Sequence, residues 1–402
     1  MVAIKRQLLR SLVLLCLGSF THPVVADFRG GVEARFDYFP DVPLFNRQSS
    51  EQSQPSLAAE LNWRHSFNRK LRTAVDVFGK YHPRAEDDYF ADVREAWLGF
   101  DNGSTSLRVG QLMERWGVLE AENIVDIINP RDAVEDFQGD VKLGIPGALW
   151  SHSAEQGEVS FWLLPYSRGR RLAEGKDRFR NLPLPIAAPE FEQGNWHPSA
   201  ALRASWLHSD FELAASHVYG HSRMPGFDLI FDPLGQATQF RPIYDLINQT
   251  NIELLWLRGH SLFKLESFYQ SGAGDRFFAF GGGVEREIPR LFNSNAALTL
   301  YLEAYYDDRK ETLSVPLSAF QQDVFVGARL ALNDVHSTEF QARVTYDTDY
   351  RSAFVDLRAE RRINRVWAME TTIYSFLNGE DDPALSGFRD DHRIQIKLIR
   401  SF

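Results

Sequence analysis

The 402-residue chain is nearly devoid of cysteine: the single one, Cys16, sits near the start. Lys5, Arg6 and Arg10 precede the short apolar run "SLVLLCLGSF", and "VVA" supplies small residues before Asp27. This pattern predicts a secretory signal peptide over residues 1–26, cleaved after Ala26. The apolar core is too short to anchor in a bilayer, and Leu15 ahead of Cys16 does not fit a lipid-attachment site. A cleaved chain would hold no cysteine, which excludes disulfides, thiolate metal sites and a cysteine nucleophile.

Long hydrophobic runs are also missing. After the leader there is no stretch of 18 or more apolar residues, so membrane-spanning helices are excluded. No series of helix start and stop signals, no Pro/Ser-rich linker and no compositional break divides residues 27–402. Basic charge is in deficit, with 44 Lys and Arg against 54 Asp and Glu. Loss of the leader removes three of the basic residues and no acid, which argues against nucleic acid as a partner.

What the chain does have is a period of two. In "FRGGVEARFDYF", Val32, Ala34, Phe36 and Tyr38 alternate with Glu33, Arg35 and Asp37. "LTLYLEAYYDD", "DVFVGARLALND" and "STEFQARVTYD" repeat the pattern, and so does the final "HRIQIKLIRSF". Each segment is about ten to thirteen residues long, the length of a tilted strand that crosses a membrane. About eighteen such segments can be counted, with sixteen as the alternative. Short turns such as "DNG", "HSD" and "RGH" alternate with long connections near 40–54, 112–146, 167–198, 221–246, 308–320 and 378–388. The fold class predicted is all-β: a closed antiparallel transmembrane β-barrel with apolar residues outward, polar residues inward and both ends on the periplasmic side. Aromatic residues near segment ends, among them Phe39, Trp206, Tyr269 and Tyr346, fit interfacial girdles.

Signal peptide, alternation and a last strand ending on Phe402 together resemble outer-membrane porins of Gram-negative bacteria. In that group a terminal Phe is read by the barrel-assembly machinery. The resemblance implies an outer-membrane location, contact with lipopolysaccharide and membrane lipid, and that machinery as a partner. The stretch "MERWGVLEAENIVDIINPRD" further resembles a W-G…N-P-x-D block, here Trp116, Gly117, Asn129, Pro130 and Asp132, of outer-membrane proteins encoded beside resistance-nodulation-division exporters. This implies a periplasmic or inner-membrane export partner. A more distant likeness is to alginate-export barrels.

Within the 112–146 connection, Arg115, Trp116, Glu120, Glu122, Asp126, Asn129 and Asp132 are candidates for a constriction loop folded into the lumen, its acids forming a screen opposite wall arginines. Candidate pore-lining residues are Arg35, Arg72, Arg94, Arg329, Arg343, Arg358, Arg393 and Lys397. The last five groups on consecutive C-terminal strands would make a basic wall favouring anionic or polar solutes, unless charges on adjacent strands simply pair and brace it. Arg168, Arg170, Arg171, Lys176, Arg178 and Arg180, in 167–198, could grip lipopolysaccharide phosphates or attract an anionic substrate.

The function expected is a channel for a small polar or anionic solute. One alternative is an export conduit for a polymer or hydrophobic metabolite. The other is an outer-rim hydrolase using Asp87 and Asp88 with Asp390, Asp391 and His392, as omptin-type proteases use acidic and histidine pairs. No base can be placed beside a nucleophile from spacing, so no enzyme is expected. No cofactor and no metal are expected either: pairs such as Asp347 with Asp349, or Asp381 with Asp382, give only part of a calcium shell.

Overall fold

A computed structural model describes residues 26–83, 89–136, 138 and 140–402. The predicted signal peptide, except Ala26, and the Asp87 and Asp88 pair lie outside the described residues. Alternation with period two puts successive side chains on opposite faces, and eighteen strands built on it form one antiparallel sheet. They range from eight residues, as in Thr105–Leu112, to fourteen, as in Ser53–Ser66. The sheet closes on itself where Ala26–Tyr38 pairs with Arg393–Ser401, Tyr38 opposite Ile394 and Gly31 opposite Ser401. Gly30 and Phe402 exchange both backbone hydrogen bonds at 3.0 Å, and a Cβ on Gly30 would lie 2.6 Å from the Phe402 ring. Closure removes every sheet edge, which a spanning β-structure requires because lipid offers its backbone no partner.

The faces sort as a membrane barrel needs. Val32 and Phe36 are 45% and 42% exposed, while their strand neighbours Arg35 and Asp37 are 8% and 7% exposed. The same inversion holds at the end, where Ile394, Ile396 and Leu398 point outward and Arg393 and Gln395 are buried. An arginine moved to the outer face at mid-bilayer would cost about 2–4 kcal/mol, so each strand's register is tightly specified. Tyr81, Trp206, Trp256, Tyr269 and Tyr346 are exposed near strand ends, as girdle residues are. Phe39 is not among them: it is buried, edge-on to Phe179 with ring centroids 5.7 Å apart.

Most tight turns join strands at the end of the barrel where both described chain ends lie, and the long connections occupy the other, where the tight turn between Gly272 and Asp275 is an exception. The strand before the longest inner segment ends at Leu112 and the next begins at Ile145; the second long connection runs from Leu164 to Ser199. The connection expected over 221–246 carries structure of its own, a hairpin of Gly226–Phe231 with Ala237–Tyr244, onto which Glu190–Phe191 adds in parallel. Its turn is set by Asp232, whose Oδ1 accepts the N–H groups of Leu234 at 2.8 Å and Gln236 at 2.9 Å. One register shift falls between Asp76 and Val77, opposite Glu95 and Val93, leaving Arg94 as the extra residue of a bulge.

Candidate constriction site

The described residues of 113–144 leave the wall at Leu112, fold into the lumen against wall side chains and return at Ile145. Asn129 fastens the two stems. Its Nδ2 donates to the carbonyls of Leu112 at 2.9 Å and Leu143 at 3.0 Å, and its Oδ1 accepts the Glu114 N–H at 2.9 Å. Pro130, next in sequence, accepts the Leu143 N–H on its carbonyl at 2.8 Å. Asp132 is fully buried and closes a local turn by accepting the Val134 and Glu135 N–H groups, while Arg171 reaches it at 3.3 Å. Gly117 has φ of +102° and lies so close to the Asn123 side chain that a Cβ would collide with it. Glycine alone combines that backbone angle with that approach. The residues of the W-G…N-P-x-D block thus meet in one folded unit.

The far side of this segment is tied to the wall by carboxylates. Glu266 accepts the N–H groups of Val118, Leu119 (3.0 Å) and Val125 (3.3 Å). Glu303 accepts those of Glu120 at 2.8 Å and Ala121 at 3.1 Å, and Glu253 that of Gly117 at 3.2 Å. Glu266 and Glu303 are 0% and 2% exposed and lie mid-strand in Ser261–Gly272 and Ala297–Asp307. A hydrogen bond to a charged group is worth about 1.5–3 kcal/mol, and a buried carboxylate stripped of donors costs as much or more. Segment and wall therefore depend on each other. Apolar contacts reinforce the ties: Trp116 packs edge-on to Trp162 at 5.1 Å, and Leu119 joins Tyr301, Tyr305 and Phe325.

The acids of the segment are engaged locally. Glu122 is held bidentately by Arg131, and Asp126 pairs with Lys142 while accepting the Trp116 N–H at 3.1 Å. Glu135 is gripped by Arg35 at 2.7 Å and Lys80 at 3.0 Å. Burial alone would raise its carboxyl, but those two cations outweigh burial and hold it down at about 2. Burial raises the Glu120 carboxyl against the pull of Lys264 and Arg343. Arg115 is exposed. The expected acidic screen is thus largely a set of internal ties, because a carboxylate inside the barrel is stable only with donors around it.

Of the wall cations, Arg343 pairs with Asp356, Lys397 with Glu370 at 2.9 Å, Arg393 with Asp37 at 3.2 Å, and Arg35 with Glu33 and Glu135 at 2.7 Å each. Arg72 stands near the tight-turn end, 3.7 Å from Asp101. Arg94 lies over the Phe78 ring at 3.8 Å, with Nε and Nη2 lacking partners among the described residues. On Arg329 and Arg358 the Nε has no partner among the described residues. The C-terminal wall is accordingly a braced lattice of opposite charges more than a continuous basic surface.

The arginines of the second long connection point inward. Arg168 holds Asp92 at 2.9 and 3.1 Å, Arg171 reaches Asp132 and the Phe90 ring, and Arg178 binds Asp391 together with Gln48. Arg178 and Arg180 are each 2% exposed. Arg178 and Arg180 are thereby too buried to grip phosphates at the outer surface, while Arg168 and Arg171 stay partly exposed and are each held by a carboxylate.

At the rim, Asp391 is committed to Arg178, and His392 Nδ1 lies 3.0 Å from Ser375 Oγ while also accepting the Phe376 N–H at 3.2 Å. A second Ser–His contact, Ser167 with His221 at 2.8 Å, is buried, and its other ring nitrogen meets the Glu192 carbonyl. Neither histidine has a carboxylate partner among the described residues. Among those residues no group of three or more His, Cys, Asp or Glu is arranged to hold a metal ion.

Sequence reasoning missed Glu253 and Glu266, and it took Glu303 only as a polar wall position. The available signal was a glutamate at mid-strand on the inward parity of three strands; nothing local indicates that backbone N–H groups would meet them.

No family model matches the chain, and no curated protein does. Among solved structures it is similar to OccAB3 of Acinetobacter baumannii, with a TM-score of 0.52 and 10% identity over 94% of this chain and 99% of that one. A BenF-like porin from Pseudomonas fluorescens gives 0.54 and 10% over 96% and 99%. Wzi, an Escherichia coli outer-membrane protein involved in group 1 capsule assembly and a carbohydrate-binding β-barrel, gives 0.54 and 13% over 94% and 85%. At such identities the likeness is one of fold. The protein is a closed antiparallel transmembrane β-barrel of eighteen strands, its apolar face outward, with the fold of these barrels.

Proposed function

We propose that the barrel is an outer-membrane channel for small polar or anionic solutes, with residues 113–144 as its constriction. The observation that carries this reading is the double fastening of that segment: Glu135 to Arg35 and Lys80 on the first strands, and residues 117–125 to Glu253, Glu266 and Glu303 on distant ones. An eighteen-stranded barrel is wide enough for a water-filled passage unless internal chain narrows it. A segment held across the lumen by buried charge-assisted bonds narrows it permanently, which suits selection among small solutes. A polymer conduit would need a wider bore. Pore-lining roles for Arg94, Arg329 and Arg358, which are partly exposed on the wall, fit anionic or polar solutes. Phe402, at the end of the closing strand, would serve as the assembly signal.

Liposome swelling tests this function. Vesicles containing the barrel should swell in small carboxylates and monosaccharides and resist oligosaccharides. Swelling no faster than that of empty vesicles would refute channel activity, and free passage of oligosaccharides would refute the constriction.

A further inference from the structure

A cavity of about 260 Å³ opens between the inner segment and the wall on the long-loop side. That is room for a small molecule, at the low end of ligand pockets. Most charges lining it are neutralised: Asp307 by Arg309, Asp356 by Arg343, and the segment's own acids by the pairs described above. Three carboxylates and two guanidinium groups are left over.

The carboxylates are Asp323, Asp347 and Asp382, each no more than 4% exposed. Asp323 and Asp347 face each other directly across neighbouring strands, a like-charge juxtaposition that destabilises a sheet. Asp347 and Asp382 take backbone and hydroxyl donors from Tyr350, Ala384 and Ser352, but Asp323 Oδ2 has no hydrogen-bond partner among the described residues. No Lys or Arg pairs with any of the three among the described residues. The guanidinium groups are those of Arg170 and Arg223. Arg223 donates to the Ile128 carbonyl at 2.9 Å and to Ser167 Oγ at 3.3 Å; Arg170 Nη1 meets Met224 Sδ at 2.7 Å and its Nε has no partner among the described residues. Neither meets a carboxylate among the described residues. Phe320 and Phe325 add apolar wall to the same cavity.

Buried charges of one sign need a partner of the other. We infer that this cavity binds a small amino-carboxylate, its protonated amine at Asp323, Asp347 and Asp382 and its carboxylate at Arg170 and Arg223. A bare metal ion would satisfy only the acidic pole, and the acids are not arranged as a metal cage. A dicarboxylate would satisfy only the basic pole. Groups of opposite charge lining one cavity with apolar wall suit a short carbon chain with opposite charges at its ends. The inference rests on the channel function proposed above, whose solute class it narrows.

Calorimetric titration of the folded, detergent-solubilised full chain tests it without requiring conduction. The probes are 5-aminopentanoate, pentylamine, pentanoate and calcium chloride. The amino-carboxylate should bind at least about tenfold more tightly than either one-ended probe, one charge-assisted contact being worth that factor. D323N should remove that advantage while leaving pentanoate binding unchanged. Equal affinity for pentanoate and 5-aminopentanoate, or saturation by calcium that excludes the amine, would overturn the inference. The comparison among probes on the unaltered barrel decides even where D323N fails to fold. A barrel that binds 5-aminopentanoate but passes no solute in vesicles would sink the channel and keep the site; one that conducts without preferring this probe would do the reverse.

Discussion

The carboxylate of Glu266 accepts the backbone N–H of Leu119 at 3.0 Å across 147 positions of sequence. The contact joins the middle of a membrane strand to the early part of a segment that leaves the wall at Leu112. It is one of three that the same carboxylate makes, the others being to the N–H groups of Val118 and Val125.

Glu266→Ala should loosen the segment without unfolding the barrel. Three N–H groups lose their acceptor, each worth about 1–3 kcal/mol when buried unsatisfied, less whatever water recovers. Planar-bilayer recordings should show larger, noisier currents, and the melting temperature should fall. Glu303→Ala should act in the same direction, and the pair should couple non-additively because both hold one segment.

Asn129→Ala should destabilise by about 1–3 kcal/mol, since the Leu112 and Leu143 carbonyls lose a donor and the Glu114 N–H an acceptor. Asn129→Asp should be worse, because a carboxylate would face the same two carbonyls. Denaturant unfolding in detergent, compared by midpoint, checks the order.

The Glu135 tie should be acid-labile. Its folded pKa, about 2, lies below the ordinary carboxyl value of 4.5, so the stabilisation is fully present above 4.5 and is lost as pH falls towards 2. Protease cleavage within 113–144 should therefore rise on acidification through that window, when assayed with an acid-active protease. E135Q should show raised cleavage and little dependence on pH over the same range.

Eighteen strands, their faces and their turns were legible because a period of two is local: Val32 against Arg35, or Ile394 against Gln395, declares its side within four residues. The W-G…N-P-x-D stretch stood out for the same reason, as a break in that period. What the segment touches was not legible. Glu253 and Glu266 look like any inward polar position, and their partners are backbone groups, which carry no sequence signature. The pairing of Arg343 with Asp356 was open to either reading, because a wall cation and a brace have identical alternation. Arg178 reads as a surface charge in a loop of charges, and only the fold brings Asp391 beside it. The hairpin Gly226–Phe231 with Ala237–Tyr244 was hidden because its first strand, of six residues, is too short for the membrane-crossing period to show.

Single-channel conductance of a variant lacking residues 118–138, set beside the intact barrel in the same bilayer and salt, tests the constriction most directly. Several-fold larger current steps with weakened solute discrimination are predicted. Steps of unchanged size, from a variant that still shows the heat-modifiable band of a folded barrel, would contradict it.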